Sequence, residues 1–311
     1  MGKERCNLCN STDFRLAVTA KDRMHDIPGE YEYFECKNCG LLFINPQPPK
    51  EEVWKHYPKN YYSYSTPNIP FKKFHVFLYK VYFSKKTNIL LKVIFMPFRR
   101  ILRTIKIVPN GKILDVGCGS GSFLNIPKEL GFDCYGVEPG NFNKAYAKRN
   151  GFKIFHGKLE DARYKDDFFD VITLNHVFEH VDDPMKCMKI LKKIIKKNGI
   201  IRIAVPQKDS FAYRTFKKYW VQLDAPRHFF LYSEKTLKMY AKKSGLRIVQ
   251  FRYISSPFQI TQSMDYWAKE KKHLLLAKIF ESKIFFMMMF PVSFLLNRLH
   301  TGDSLEVILS K

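Results

Sequence analysis

Short apolar runs alternate with longer amphipathic segments over residues 112–311. The short runs are rich in Ile, Val, Leu and Phe, as strands are, and the segments between them carry apolar residues at helical spacing. Strands are predicted at 113–117, 133–138, 153–156, 170–174, 200–205, 246–254 and 305–309. Helices are predicted at 120–130, 143–150, 184–197 and 233–244. This alternation predicts an α/β fold with a doubly wound, seven-stranded sheet and right-handed crossovers.

Two segments depart from this alternation. Residues 53–114 contain no Asp or Glu, and ten Lys or Arg residues are interleaved with large apolar ones over residues 71–107. We predict one or two basic amphipathic helices there, broken near Pro97. They are either a linker packed on the main domain or an element that binds a membrane surface or a polyanion. The second segment, at about 257–300, is an apolar helical insertion between the last two predicted strands.

The pattern divides the chain into three parts. Residues 1–50 form a cysteine-rich module that ends at three prolines, and residues 51–110 form the basic, aromatic-rich helical segment. Residues 111–311 form the sheet domain, which includes the apolar insertion. A chain of 311 residues is long enough for one large domain with a sizeable core and smaller additions.

The composition excludes a wholly disordered chain and indicates an anionic partner. Hydrophobic residues make up 46% and charged residues 26% of the sequence, which is typical of globular proteins. The formal net charge is +24, which favours nucleic acid, a membrane surface or a phosphorylated substrate as a partner. A generally lysine-rich composition would produce the same charge without such a partner.

Nothing in the sequence predicts secretion or a membrane span. The first residues lack an apolar run, and the longest uncharged apolar stretch near the C-terminus covers 284–297 with Pro291 inside it. A spanning helix needs roughly 20 apolar residues. We therefore expect a cytoplasmic protein, in which cysteines are metal ligands or free thiols rather than disulfides.

Four cysteines near the N-terminus predict a structural zinc site. They form two Cys-x-x-Cys pairs: Cys6, Cys9, Cys36 and Cys39. Asn10 and Gly40 follow the second cysteine of each pair, where a knuckle turn favours a left-handed residue. Two knuckles supply four thiolates, which fill a tetrahedral site and leave no position for water. His25 is a further candidate ligand, but the four cysteines are the preferred set.

A glycine-rich turn at 113–121 predicts a cofactor site. The sequence there is ILDVGCGSG, an apolar strand that leads into a helix. Gly117 and Gly119 have the spacing of a dinucleotide fingerprint, but the third glycine is Gly121, one position early. Glu138 ends the second predicted strand, where an acid can accept both hydroxyls of a ribose. A phosphate-binding P-loop is excluded because no Gly-Lys-Ser/Thr follows.

These residues resemble class I S-adenosylmethionine-dependent methyltransferases. The run 113–121 is similar to their first motif, Glu138 to their ribose-binding acid, and residues 169–184 to their fourth-strand motif. The sequence WVQLDAPRH at 220–228 resembles a segment of members that act in polysaccharide and antigen biosynthesis, which often carry a similar cysteine-rich module. The resemblance covers essentially the whole chain. It implies a Rossmann-like methyltransferase sheet with a small N-terminal zinc ribbon and helical additions.

The resemblance also implies a role for each candidate cofactor residue. Gly117, Gly119 and Gly121 shape the turn under the amino acid part of S-adenosylmethionine, and Asp115 anchors that turn. Glu138 holds the ribose. Leu159 and Glu160, after the third strand, contact adenine, and Asn175, at the end of the fourth strand, lies beside the methionine moiety.

Methyl transfer to a sugar hydroxyl is helped by a general base, because the hydroxyl has a high pKa. Three histidines follow the predicted fourth and fifth strands: His176, His180 and His228. His228 and His180 are the preferred candidates, and the alternative is that they only cap or pack. Arg227 is a candidate to bind an acceptor phosphate. Glu179 is interpreted as a structural acid that orients its loop.

Three classes of function remain open. The first is a methyltransferase that acts on a saccharide or a lipid-linked glycan intermediate, with peripheral contact to an anionic membrane. The second is an RNA methyltransferase, favoured by the charge, although residues 175–178 lack the Pro-Pro-aromatic signature that holds a flipped base. The third is a non-catalytic cofactor-binding protein, against which the intact Asp115, Glu138 and glycine turn argue.

Overall fold

The computed structural model describes residues 5–57, 71–83 and 87–311. The strands are β1 (Phe14–Ala20), β2 (Tyr31–Cys36), β3 (Leu42–Ile44), β4 (Lys112–Val116), β5 (Asp133–Glu138), β6 (Lys153–His156), β7 (Phe169–Asn175), β8 (Ile195–Pro206), β9 (Phe230–Leu231), β10 (Arg247–Tyr253) and β11 (Ser304–Ser310). The helices are α1 (Lys50–Lys55), α2 (Lys72–Phe83), α3 (Ile89–Ile94), α4 (Asn125–Glu129), α5 (Lys144–Arg149), α6 (Pro184–Ile194), α7 (Phe211–Phe216), α8 (Glu234–Ser244), α9 (Phe258–Glu270), α10 (Leu274–Glu281), α11 (Lys283–Met288) and α12 (Phe290–Arg298).

Seven strands form the predicted doubly wound sheet, in the order β10-β11-β8-β7-β4-β5-β6. The five strands from β8 to β6 are parallel, and β11 pairs antiparallel with both β8 and β10. The chain runs outward in one direction through β4, β5 and β6 and in the other through β7 and β8. The strand order therefore reverses between β4 and β7, which is where open α/β sheets bind ligands.

Three predicted boundaries are wrong by three residues or more, each for a local reason. The helix predicted at 120–130 shrinks to α4, because turns occupy residues 119–124. Pro127 lies in the first turn of α4, where its missing N–H removes no helical hydrogen bond. The strand predicted at 200–205 begins at Ile195, which pairs with Phe169 across a register shift. That pairing ends α6 three residues before the predicted boundary at 197.

The N-terminal residues form a second, antiparallel sheet in the order β1-β2-β3-β9. Its last strand belongs to the larger domain, since Leu42 and Phe43 of β3 pair with Leu231 and Phe230. One continuous apolar core joins the two sheets and contains residues from both. The cysteine-rich module is thus built into the fold beside the segment that ends at His228.

The basic segment forms α2, α3 and a 3-10 helix at Met96–Ile101. α2 packs on the far side of the large sheet, where Leu78 and Tyr79 join the second apolar core. α3 has no buried residue. Lys85 and Lys86, two of the ten basic residues counted in this segment, lie outside the described residues.

Four helices, α9 to α12, lie between β10 and β11 at the position of the apolar insertion. Large apolar side chains are exposed along them, including Leu275 (75%), Ile284 (76%) and Met288 (67%). Within the described ranges, no single helix is long and apolar enough to span a bilayer. α10 and the stretch Lys283–Arg298 reach that length and composition only as a pair bent by 62°.

Candidate active site

A cavity of about 690 Å³ opens at the carboxyl ends of β4, β5 and β7, beside the point where the strand order reverses. One end is formed by the turn after β4 and by the end of β5. The other end is formed by α1, the loop after β7 and the segment before β9. The lining includes eight of the residues singled out from the sequence: Asp115, Gly117, Gly119, Glu138, Leu159, Glu160, Asn175 and His180. Gly121 and His228 lie outside it.

The turn after β4 has a backbone that only glycine adopts without strain. Gly117 and Gly119 have φ angles of 66° and 52°. A Cβ on Gly117 would lie 2.4 Å from a methyl group of Val177. The amide of Gly117 donates a 2.7 Å hydrogen bond to the carbonyl of Val137, which ties the turn to β5. The turn is therefore held open to the cavity by contacts on both sides.

Asp115 lies buried under this turn at the end of β4. Its carboxylate accepts a 2.5 Å hydrogen bond from the hydroxyl of Thr173 on the neighbouring strand. Burial raises the pKa of Asp115, and the guanidinium of Arg103, 3.7 Å away, counteracts that rise. The contacts agree with the anchoring role that the sequence implies.

Glu138 joins two loops through its carboxylate. One oxygen accepts the N–H of Gly119 and the other the N–H of Gly140, both at 2.8 Å. Burial raises the pKa of Glu138, and the two backbone hydrogen bonds oppose that rise. Each carboxylate oxygen has a further lone pair. The group is thus held rigidly at the cavity wall and can still accept hydrogen bonds from a ribose.

The remaining predicted cofactor residues occupy different depths of the cavity. Leu159 is buried, whereas Glu160 is exposed and lies 3.3 Å from Lys186. Asn175 accepts a 3.0 Å hydrogen bond from Arg202, which fixes its amide at the end of β7. Gly121 shapes the fold, because a Cβ there would lie 2.7 Å from the ring of Phe152.

Arg103 is a cavity residue that sequence reasoning missed. Its guanidinium stacks over the ring of Phe123 at 4.1 Å and lines the cavity beside Asp115. One terminal nitrogen is buried and has no hydrogen bond to any described residue. A buried cationic donor without an acceptor suits an anionic ligand group. The sequence offered no signal beyond one cation among the ten of the basic segment.

The far end of the cavity is walled partly by the N-terminal part of the chain, which the sequence did not predict. Trp54 and Tyr57 follow the cysteine-rich module, and their rings lie 5.4 Å apart. The hydroxyl of Tyr57 lies 3.2 Å from Nδ1 of His180. This contact brings an aromatic wall to the predicted catalytic histidine.

Three histidines surround the buried carboxylate of Glu179. Nδ1 of His176 donates to Oε1 of Glu179 at 3.2 Å, and Nε2 of His228 lies 3.8 Å from the same oxygen. The rings of His180 and His228 meet edge to face, with centroids 4.6 Å apart. Burial lowers the pKa of His228 to about 4. The structure thus groups all three candidate histidines, with His176 and His180 on the cavity wall and His228 behind them.

The predicted phosphate-binding role of Arg227 is wrong. Its side chain is fully buried, and its N–H groups donate to both carboxylate oxygens of Asp22, both of Asp224 and the carbonyl of His56. All five guanidinium hydrogens are therefore used within the fold. Arg227 holds the segment before β9 in place and has no donor left for a phosphate.

A family model described as a methyltransferase domain matches residues 94–251, which is 158 of the 311 residues. The match includes the glycine turn, Glu138 and the histidine cluster. The chain belongs to this methyltransferase family.

Two curated relatives align with part of the methyltransferase. A ubiquinone biosynthesis O-methyltransferase of Pelagibacter ubique is 34% identical over 119 residues, covering 37% of this chain and 50% of the relative. An uncharacterized protein of Methanocaldococcus jannaschii is 30% identical over 111 residues, covering 36% of this chain and 52% of the relative. The aligned part thus spans about half the length of these curated relatives.

Solved structures that align with the methyltransferase include two S-adenosylmethionine-dependent methyltransferases. The one from Archaeoglobus fulgidus is 19% identical with a TM-score of 0.43, covering 76% of this chain and 99% of that one. The one from Mesorhizobium loti is 15% identical with a TM-score of 0.44, covering 70% of this chain and 97% of that one.

The four cysteines of the methyltransferase converge as predicted. Sγ of Cys6 lies 3.6 Å from that of Cys39, and Sγ of Cys9 lies 3.5 Å from that of Cys36. All four sulfur atoms lie within 4.8 Å of one another. Tetrahedral zinc with Zn–S bonds of about 2.3 Å places sulfur atoms about 3.8 Å apart. The residues therefore fit a zinc ion.

The two knuckle turns of the methyltransferase have the same backbone. Asn10 and Gly40 have φ angles of 62° and 81°, the left-handed conformation predicted for them. Their amides donate to the carbonyls of Cys6 and Cys36 at 2.9 and 2.8 Å. The repeated geometry explains how two pairs far apart in sequence present four thiols to one point.

Proposed function

We propose that the protein transfers a methyl group from S-adenosylmethionine to a hydroxyl of a saccharide or a lipid-linked glycan intermediate. The observation that supports this proposal is the composition of the single cavity. One end carries the glycine turn and Glu138, and the other carries Trp54, Tyr57 and His180. Aromatic faces suit an acceptor with an apolar face and polar edges, and the histidine suits a hydroxyl.

The residues at the first end fit S-adenosylmethionine. Glu138 would accept the ribose hydroxyls, and Asn175 would lie beside the methionine moiety. Arg103 would hold the methionine carboxylate, because one of its buried donors has no acceptor among the described residues. The bound cofactor supplies an electrophilic methyl group on a positively charged sulfur. The protein supplies position and removes the acceptor proton.

The residues at the second end would take that proton. Nδ1 of His180 lies 2.8 Å from the carbonyl of Arg227, which can only accept, so this nitrogen carries the hydrogen. Nε2 is then free to accept the proton of an acceptor hydroxyl as its oxygen bonds to the methyl carbon. His228, packed against His180, would support this histidine rather than touch the acceptor.

The cysteine module would hold one structural zinc ion at Cys6, Cys9, Cys36 and Cys39. Four thiolates complete a tetrahedral shell and leave no position for a reacting group. Because β3 pairs with β9, zinc would stabilise the segment next to the acceptor end of the cavity. Its role would be to position Trp54, Tyr57 and the histidines rather than to take part in chemistry.

Exposed apolar side chains and a basic segment support peripheral contact of the protein with an anionic membrane. The helices α10 to α12 expose large apolar side chains, and α3 exposes Ile89 (73%) and Val93 (61%) within the basic segment. Apolar side chains that insert and cations that face lipid phosphates stabilise such contact together. A bilayer surface would bring a lipid-linked acceptor to the cavity.

A second candidate acceptor follows from the relatives. Several are named ubiquinone biosynthesis O-methyltransferases, so a phenolic hydroxyl on a lipid-linked ring is the alternative. The protein and S-adenosylmethionine labelled in its methyl group would be incubated with an extract of its host. The extract would then be separated into lipid-linked glycan, quinone and RNA fractions.

We expect label in the lipid-linked glycan fraction and none with the Glu138→Ala variant. Label in the quinone fraction would establish the alternative acceptor, and label in RNA would establish the nucleic acid class. Absence of label in every fraction, with S-adenosylmethionine binding retained, would favour the non-catalytic class.

A further inference from the structure

A cluster of metal-ligand side chains, separate from the four cysteines, lies behind the cavity wall at His180. Glu179, His180 and His228 each offer one ligand atom, and these atoms all lie within 4.8 Å of one another. Glu179 and His228 are buried, and His180 lines the cavity. Two imidazoles and one carboxylate form a donor set that binds divalent transition metals.

The hydrogen bonds of both histidines leave their Nε2 lone pairs unused. Nδ1 of His180 lies 2.8 Å from the carbonyl of Arg227, and Nδ1 of His228 lies 2.7 Å from the carbonyl of Gln222. A carbonyl oxygen only accepts, so each Nδ1 carries the hydrogen and each Nε2 carries a lone pair. Metal-binding histidines are fixed in the same way, by donating their other nitrogen to a carbonyl or carboxylate.

The atoms that face Nε2 of His228 are also acceptors. Oδ2 of Asp224 lies 3.6 Å from it and Oε1 of Glu179 lies 3.8 Å from it, both beyond hydrogen-bond distance. The side chain of Glu179 has no exposed area. Its Oε2 is buried and has no hydrogen bond to any described residue. Oε1 of Glu179 accepts from His176 and Oδ2 of Asp224 accepts from Arg227, but neither oxygen is within hydrogen-bond distance of Nε2 of His228. A cation between these facing lone pairs would balance their negative charge.

The spacing fits an ion. Zinc binds imidazole nitrogen and carboxylate oxygen at about 2.0–2.2 Å, so two ligands across one ion are separated by at most about 4.2 Å. The 3.8 Å between Nε2 of His228 and Oε1 of Glu179 lies within that limit. The ligand atom of His180 lies within 4.8 Å of those of both other residues.

We propose that Glu179, His180 and His228 bind one divalent transition-metal ion at the acceptor end of the cavity. Because His180 lines the cavity, an ion held by the cluster would be reached from that side, and an acceptor oxygen bound to it would lose its proton more readily. The binding of the ion stands on the cluster alone, whereas its action on the acceptor rests on the proposed function. With the ion bound, Nε2 of His180 is a metal ligand, so His180 positions the acceptor and the proton of the metal-bound hydroxyl passes to water instead of to His180.

Cobalt(II) distinguishes the two metal sites spectroscopically. The purified full-length protein is stripped with a chelator under reducing conditions and titrated with Co²⁺ alone. A site of four thiolates produces intense thiolate-to-cobalt charge-transfer absorption, and a site of two imidazoles and a carboxylate produces only weak visible bands. We expect two equivalents of Co²⁺ per chain, of which one contributes the charge-transfer absorption.

The variants Glu179→Gln and His228→Ala test the assignment, with His273→Ala as a matched control. His273 is exposed at the start of α10, away from the cluster. We expect both cluster variants to bind one equivalent of Co²⁺ with full charge-transfer absorption, and the control to bind two. The charge-transfer absorption reports that the cysteine module, which packs beside His228, is still folded.

A wild-type stoichiometry of one, with full charge-transfer absorption, would overturn the proposal, because it would show that only the cysteines bind the ion. Two equivalents in both cluster variants would overturn it as well. Isothermal calorimetry with S-adenosylmethionine separates this result from the proposed function. If the wild-type protein did not bind S-adenosylmethionine, the proposed function would be rejected, and the number of Co²⁺ ions bound per chain would still decide whether the metal site exists.

Discussion

The carboxylate of Asp22 accepts two hydrogen bonds from the guanidinium of Arg227, at 2.8 and 2.9 Å, and both side chains are fully buried. Asp22 lies between the two cysteine pairs, and Arg227 immediately precedes His228. The hydroxyl of Tyr33 adds a 2.8 Å hydrogen bond to the carbonyl of His228. The cysteine module and the acceptor end of the cavity are therefore one structural unit.

The variant Asp22→Asn tests the importance of this link. Burial opposes ionisation of Asp22, but hydrogen bonds from Arg227 and His56 outweigh burial and hold its pKa below the usual value. Breaking a buried pair from one side costs about 3–5 kcal/mol, because the remaining charge is uncompensated. We expect the free energy of unfolding to fall by about 3 kcal/mol, the lower limit, since Asp224 still pairs with Arg227. Urea unfolding followed by fluorescence measures the free energy of unfolding.

The control for that variant is Lys37→Met. Lys37 forms an exposed 2.9 Å ion pair with Asp13 in the same module. Exposed pairs contribute at most about 1 kcal/mol. Equal losses in the two variants would contradict the claim that the buried pair joins the module to the cavity.

The variant Glu138→Ala tests the cofactor site. It removes the acceptor for the ribose hydroxyls and for the amides of Gly119 and Gly140. Hydrogen bonds to a charged group contribute about 1.5–3 kcal/mol each, so affinity for S-adenosylmethionine should fall at least tenfold. Calorimetry measures the affinity. Asp133→Asn, at the half-buried start of the same strand, is the control and should bind like wild type; unchanged binding by Glu138→Ala would reject the assignment.

The parts of the fold that follow local rules were predictable. The strand at 153–156 has the predicted bounds, and the knuckles at Asn10 and Gly40 have the predicted left-handed backbone. Asn and Gly adopt that backbone at lower cost than other residues, so these turns could be read from residue type. The convergence of the four cysteines followed from their paired spacing for the same reason.

The parts that depend on tertiary contacts were not predictable. Trp54 and Arg103 reach the cavity only because α1 and the basic segment fold back over the end of the sheet, and neither carries a local pattern. The sequence suggested a phosphate-binding role for Arg227, because it lies in a loop that was expected to cover the acceptor site. Its partner Asp22 lies too far along the chain to be inferred, so its burial was not foreseen.

The variant Cys36→Ser tests the zinc site. Protein purified under reducing conditions without chelator should contain close to one equivalent of zinc at the cysteines, and the variant should lose it. Because the module shares its core with the larger domain, amides of β9 should exchange hydrogen faster, while those of β5 remain protected. Cys187→Ser, in α6, is the control. Less than a tenth of an equivalent of zinc in wild type would contradict the site.

The variant Ile284→Asp tests membrane contact. Ile284 is 76% exposed on α11. Inserting its side chain into a membrane contributes about 1.5–3 kcal/mol, so Asp should weaken binding to anionic vesicles at least tenfold. Val249→Asp places the same charge at an exposed apolar position on β10 and should not affect binding. Co-sedimentation measures both variants; a wild-type dimer that ignores anionic and neutral vesicles alike would show that these helices instead pack against a second copy.

Asp303 makes the stability of the protein depend on pH. It is buried beside β11, and its Oδ1 accepts a 2.8 Å hydrogen bond from the indole of Trp220. Burial raises its pKa to about 6. A carboxyl whose pKa is higher in the folded state binds its proton more tightly there. Its contribution to stability is therefore greatest below the unfolded-state pKa of about 3.9 and falls as pH rises through about 6.

The variant Asp303→Asn removes this dependence, because the amide cannot ionise. A difference of about two pKa units corresponds to about 3 kcal/mol of unfolding free energy. Between pH 4 and pH 8 the wild type should lose about that much stability, and the variant should not lose it. Urea unfolding of both proteins at the two pH values measures the change, which does not depend on any constant cost of burying the amide. Asp166→Asn, at an exposed position, is the control. A difference between Asp303→Asn and wild type that is the same at both pH values would show that folding does not raise the pKa of Asp303.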